Sequence, residues 1–70
     1  MEPEELEQWM RRMGALRGKE RLAEREAAGL IGWTRESLRS CLAGRRAPNY
    51  IGYACKWLEQ EARRGMRKNA

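Results

Sequence analysis

Apolar side chains recur along this chain at the three- and four-residue spacing of helices, and nowhere in strict alternation. Leu6, Trp9, Met10, Met13 and Leu16 predict a first helix over residues 3–16. Pro3 suits its first turn, and Glu4, Glu5 and Glu7 sit at the positive end of its dipole. Gly14 and Gly18 weaken or end it. Ala23, Ala27, Leu30 and Ile31 predict a second helix over 20–31, closed by Gly32, where a positive φ is cheap only for glycine. Thr34 has the chemistry to cap a third helix over 35–43, with Leu38, Cys41 and Leu42 inward and a stop at Gly44. Pro48 opens a fourth helix at its first position, running to about Arg64, and the polar tail 65–70 is expected to fray. With β-branched residues scarce and no repeats or long linkers, the expected fold class is all-α: one domain over 1–70, of four helices or five.

Charge adds a second pattern. The chain has 70 residues and a net charge of +5, and the charge is clustered. Residues 1–8 hold Glu2, Glu4, Glu5 and Glu7 without a base, whereas residues 9–19 hold Arg11, Arg12, Arg17 and Lys19. Residues 32–46 set Arg35, Arg39, Arg45 and Arg46 against Glu36 alone. Such clusters suit phosphates, since each one neutralised releases condensed counterions. They equally suit an ordinary solvated face, so charge alone does not decide.

Several classes of chemistry have little to stand on. There is no histidine and no aspartate, no phosphate-cradling glycine loop, and neither Cys41 nor Cys55 has a CxxC partner. The expectation is a protein that is not an enzyme and uses no metal, cofactor or small-molecule substrate. Buried free thiols are the default for the two cysteines; a redox switch requires that they be adjacent and accessible. No apolar run approaches the roughly 20 residues that span a bilayer, so no membrane partner is expected, and with no signal peptide recognised the expected location is a reducing cytoplasm with free thiols. A chain this short buries only about 60% of its unfolded surface, which leaves dimerisation as the stabiliser to consider.

Residues 24–43 carry the most informative spacing. Small Ala28 lies four residues before Gly32, Ile31 and Trp33 flank that glycine, and Leu38 and Cys41 follow six and nine residues after it. A small residue, a glycine turn and buried positions at these offsets describe a helix-turn-helix, whose second helix lies in a major groove with its first side chains at the base edges. The stretch REAAGLIGWTRESLRSCLAGRRAPNYIGYACKWLE resembles the lambda-repressor/Cro-type helix-turn-helix family over about half the chain. The segments REAAGLIG and RRAPNYI are also similar to the small anti-CRISPR-associated autorepressors of phages.

The resemblance implies a transcriptional repressor that binds a palindromic, inverted-repeat operator in double-stranded DNA as a homodimer and occludes a promoter, its own included. It places Arg35, Glu36, Arg39 and Ser40 on the base-reading face. Arg39 suits guanine O6 and N7; Glu36 either accepts from cytosine N4 or pairs with Ser40 or Arg39 one turn away. Arg25, Thr34, Arg45, Arg46 and Asn49 fall where the family holds phosphates. Two residues depart from the family pattern. Glu24 stands where glutamine is usual, and a carboxylate near phosphate is repulsive. Trp33 replaces an aliphatic residue, and either packs against the fourth helix or stays partly exposed.

On the fourth helix, Ile51, Ala54, Cys55, Leu58 and Ala62 form a core stripe, and Tyr50, Tyr53 and Trp57 an adjacent aromatic one. Either these aromatics make a dimer interface, joined by Trp9, or Tyr50 and Trp57 complete a monomer core under the first helix. The rival to a DNA-binding repressor is a small helical protein-binding inhibitor or adaptor that uses those aromatics as its contact surface. RNA binding is a lesser variant, since the aromatics are not interleaved with the basic residues.

Overall fold

The computed structural model describes the backbone of residues 1–68 and the side chains of residues 1–65. Among the described residues the chain forms four helices and no strand: α1 (Pro3–Leu16), α2 (Glu24–Ile31), α3 (Arg35–Leu42) and α4 (Asn49–Lys68). The all-α expectation holds at this level. α1 packs on α3 and α4, and α2 packs on the same two helices. α4, about 30 Å long, is the longest element of a body measuring 38 × 22 × 19 Å. No described helix is long and apolar enough to cross a membrane.

The core is filled mainly from α1. Leu6, Trp9, Met10 and Met13 are buried there, and they meet Leu22, Ala27, Ala28, Leu38, Cys41, Ala47, Ile51 and Cys55. Trp9 is wholly enclosed, and its indole N–H donates to the Cys55 carbonyl of α4 at 2.9 Å. A buried indole that keeps its hydrogen bond avoids the penalty of an unpaired buried donor. The expected share of Trp9 in a surface contact is therefore corrected: it belongs to the α1–α4 seam. Beside that seam, Arg12 donates to Glu59 at 3.0 and 3.1 Å, and Arg63 reaches the same carboxylate at 2.9 Å.

α2 begins at Glu24, four residues later than its apolar spacing suggests. The intervening segment folds back on α1 instead of winding into helix. The Leu22 N–H donates to the Met10 carbonyl at 3.0 Å, and the Leu22 side chain is buried. Gly14 makes this close approach possible, because a Cβ there would stand 2.6 Å from the Arg21 backbone. Gly14 lies inside α1 and does not end it; Gly18, at φ 74°, follows the helix end. Arg17 and Lys19 pair with Glu26 of α2 at 3.0 and 3.1 Å and tie the connection down. Ala23 consequently stands outside α2 and is exposed, and Ala28 joins Ala27 as a buried residue of that helix.

The remaining boundaries follow the sequence closely. α3 ends at Leu42, and Gly44, at φ 136°, turns the chain after it. Pro48 stands one residue before α4, with its carbonyl accepting from the Ile51 N–H at 3.0 Å. α4 passes Arg64 without interruption and continues to Lys68; the rest of the tail expected to fray, 69–70, lies outside the described residues. At the other end of the chain, residues 1 and 47 exchange two hydrogen bonds, both at 2.9 Å, between Met1 and Ala47.

Candidate nucleic-acid interface

The break between α2 and α3 is made by two local devices. Gly32 adopts φ 72°, ψ 26°, the left-handed region that costs an L side chain about 1–2 kcal/mol. With it there, the Gly32 N–H points at the Gly29 carbonyl (3.4 Å) and the Trp33 N–H at that of Ala28 (2.9 Å), so carbonyls orphaned by the helix end gain partners. Two residues on, Thr34 is extended, and its hydroxyl accepts from the Ser37 N–H at 3.1 Å. That bond satisfies one of the free amides of α3. Residues 22–43 are thus two helices and a turn, not one rod. Trp33 is half-buried against the core.

α3 buries Leu38 and Cys41, and helical geometry then sends Arg35, Glu36 and Arg39 to solvent. Ser40 lies at the edge of this face and is half-buried; its carbonyl accepts from the Arg45 N–H at 3.2 Å. Arg35 and Arg39 keep 52% and 59% of their side-chain surface exposed, so neither is masked by the body of the protein.

Both arginines converge on one carboxylate. Arg39 Nε stands 2.9 Å from Glu24 Oε1, Arg35 Nε stands 3.7 Å from the same oxygen, and Arg21 lies 3.6 Å from the other. The hydrogen bond from Arg39 and the charges of Arg39, Arg35 and Arg21 hold the Glu24 carboxyl below its ordinary value, outweighing the cost of partial desolvation. Sequence reading marked Glu24 only as a repulsive departure. In the structure its charge is answered by three guanidinium groups. The signal was present in the spacing: a short turn between two helices brings the start of the first beside the outer face of the second.

The other basic residues divide into two sets. Arg25 and Arg45 are exposed and have no ion-pair partner among the described residues. Arg46 is exposed too but held by Glu2 at 3.0 Å. Arg46 and Asn49, the first residue of α4, line an open groove between α1 and α4 together with Arg12, Tyr53 and Lys56. Among the described residues none of them forms an ion pair or side-chain hydrogen bond with the Arg35–Glu24–Arg39 cluster. Glu36 makes no ion pair or hydrogen bond among the described side chains, so the pairing with Ser40 or Arg39 that sequence allowed is not formed.

Elsewhere, Cys41 and Cys55 are buried free thiols. Burial pushes the Cys55 thiol up to about 12, which leaves it unreactive at neutral pH. Tyr50, Tyr53 and Trp57 are 63, 73 and 60% exposed. The reading of Tyr50 and Trp57 as completing a monomer core is therefore overturned: α1 fills that space with Leu6, Trp9, Met10 and Met13, leaving the second stripe of α4 outside. Among the described residues no group of acidic, cysteine or histidine side chains is placed to hold a metal ion. No protein-family model, curated protein or solved structure matches this chain.

Proposed function

We propose that this protein is a sequence-specific DNA-binding repressor of the helix-turn-helix type, with α3 as its reading helix. The observation that supports this most is the exposure of Arg35, Glu36 and Arg39 on a short helix set off by the Gly32 turn and the Thr34 cap. A solvent-facing guanidinium already fixed at one nitrogen by Glu24 keeps other N–H groups free for a guanine edge. Ser40, half-buried, has the least reach of the four base-reading candidates. Thr34 serves first as a cap. Arg25 and Arg45, with no ion-pair partner among the described residues, are the best placed to hold phosphates; Arg46 and Asn49 contribute if the backbone reaches the α1–α4 groove.

As a homodimer on an inverted repeat, such a protein occludes a promoter, and the similarity to anti-CRISPR-associated autorepressors makes its own promoter the first to test. The exposed Tyr50, Tyr53 and Trp57 also favour a contact with protein. A second copy of the chain answers that observation within the repressor reading; a foreign partner answers it in the adaptor reading.

A gel shift with the DNA upstream of its own gene, against scrambled competitor, separates the two. The repressor reading expects retention that survives competitor and weakens steeply with salt. Retention equal for both sequences, or none, removes it.

A further inference from the structure

The exposed aromatics are the first half of a longer stripe. Tyr50, Tyr53, Trp57, Gln60 and Arg64 follow one another at intervals of three, four, three and four residues, which places them on one face of α4. Ala54 and Glu61 run alongside. The side of α4 bonded to α1 carries Cys55 and Glu59, and the stripe lies beside it, with Tyr53 also edging the open groove next to α1.

The stripe is symmetric about Trp57 in position and complementary in chemistry. Tyr50 and Arg64 lie seven residues to either side of it, Tyr53 and Glu61 four, Ala54 and Gln60 three. When two identical helices cross antiparallel on a two-fold axis, each residue meets the one equally far beyond the axis. With the axis at Trp57, a Tyr50 ring faces an Arg64 guanidinium, a favourable cation–π pair. A Tyr53 hydroxyl then donates to a Glu61 carboxylate, a charge-assisted bond, and small Ala54 makes room for Gln60. Glu61 and Arg64 already hold each other at 3.4 Å within the helix, so the charged end of the stripe is pre-arranged.

We propose that the protein pairs with a second copy of itself through an antiparallel α4–α4 contact centred on Trp57; this rests on the dimeric repressor reading and gives it a register. The surface available is of the right order. Six aromatic side chains, each well over half exposed, withdraw on the order of 800 Å² from water. The flanking Ala54, Gln60, Glu61 and Arg64 of both copies bring the total toward the roughly 1,200 Å² at which standard interfaces begin. The contact uses none of the α3 residues assigned to DNA.

The test begins with the mass of the full chain at about 100 µM by size-exclusion chromatography with light scattering. A dimer is expected, and Trp57→Glu should raise its dissociation constant at least about tenfold while leaving the far-ultraviolet circular dichroism unchanged. Register is read with Tyr50→Cys and Arg64→Cys under mild oxidation, Cys41 and Cys55 being buried. The mixed sample should cross-link, whereas each variant alone should not, because like residues stand about 21 Å apart along the pair. A monomeric parent, an unimpaired Trp57→Glu dimer, or homotypic cross-links as fast as mixed ones overturn the proposal. A monomer that still discriminates upstream from scrambled DNA removes the pairing alone. A dimer with this register but no such discrimination removes the DNA reading alone.

Discussion

Between α1 and α4 the protein is held by large buried side chains. Leu6, Trp9, Met10 and Met13 are enclosed, the Trp9 indole is bonded to the backbone of α4, and Arg12 and Arg63 share Glu59 at the edge. Between α2 and α3 the buried set is slighter: Ala27 and Ala28 on one helix, Leu38 and Cys41 on the other. The polar contacts there face solvent, with Arg39 and Arg35 on Glu24. Alanines let two helices approach closely but supply little apolar area, since the hydrophobic gain scales with area buried. The asymmetry suggests that stability and recognition are carried by different residues. It follows that mutation should separate them.

The strongest way to break this comparison is Trp9→Ala. Truncating a fully buried aromatic costs about 3–5 kcal/mol, a large part of the roughly 4–10 kcal/mol available to a chain of this size. The variant should be largely unfolded at room temperature, or melt at least about 15 °C below the parent, by circular dichroism. A drop of only a few degrees would mean that α1 is not the main anchor.

The second test lies on the other side. Arg39→Ala should leave the melting temperature within a few degrees of the parent. In the repressor reading it loses about 1–3 kcal/mol of discrimination at one base pair per half-site. Fluorescence anisotropy on operator variants reads this directly. Undiminished selectivity would remove α3 as the reading helix.

How much of this was legible in the sequence differs between the two regions in the same way. The α2–α3 break was readable residue by residue, because its devices are local: Gly32 in the left-handed region and the Thr34 hydroxyl on the Ser37 amide. The α1–α4 seam was readable only as apolar spacing. That spacing found Leu6, Trp9 and Met13 but not the partner of the Trp9 indole, which lies 46 residues away. Composition also gave Trp9 and Trp57 similar standing, although one is enclosed and the other 60% exposed. What distinguishes them is which face of α4 meets α1, a tertiary choice. The same reason explains the late start of α2. Residues 20–23 have helical character, and they are drawn out of the helix by the Gly14 contact and the Leu22–Met10 bond.

A smaller effect sharpens the comparison within the turn itself. Thr34→Ala removes the cap of α3 and should cost about 1 kcal/mol, a fall of about 4–8 °C in melting temperature for a domain of this size. Thr34→Ser should restore most of it. Hydrogen exchange adds a regional readout. With α3 uncapped, the Ser37 amide should exchange markedly faster while the amides of α1 change little. Equal acceleration in both helices would mean that the two sides open together and that the asymmetry is one of composition only.

The smallest expected effect concerns acid. Burial alone would raise the Glu59 carboxyl, but the hydrogen bonds from Arg63 and Arg12 and their charges outweigh it and hold the group below its ordinary value. A carboxyl depressed in the folded chain stabilises it fully above the unfolded pKa of about 4.3. The stabilisation is lost as pH falls through the lower folded value, because the unfolded chain then binds the proton more readily. Glu59→Gln should therefore cost about 0.5–1 kcal/mol at pH 7, the modest worth of a pair whose arginines are half-exposed. Once the pH falls below that lower folded value, the variant and parent should converge. Urea unfolding at a series of pH values measures both. Glu24 is also depressed, mainly by Arg39, but it joins the two short helices and not the α1–α4 seam. If Glu24→Gln flattens the acid limb more than Glu59→Gln does, the polar anchoring of the fold lies on the α2–α3 side, and the division between a stabilising pair and a reading pair fails.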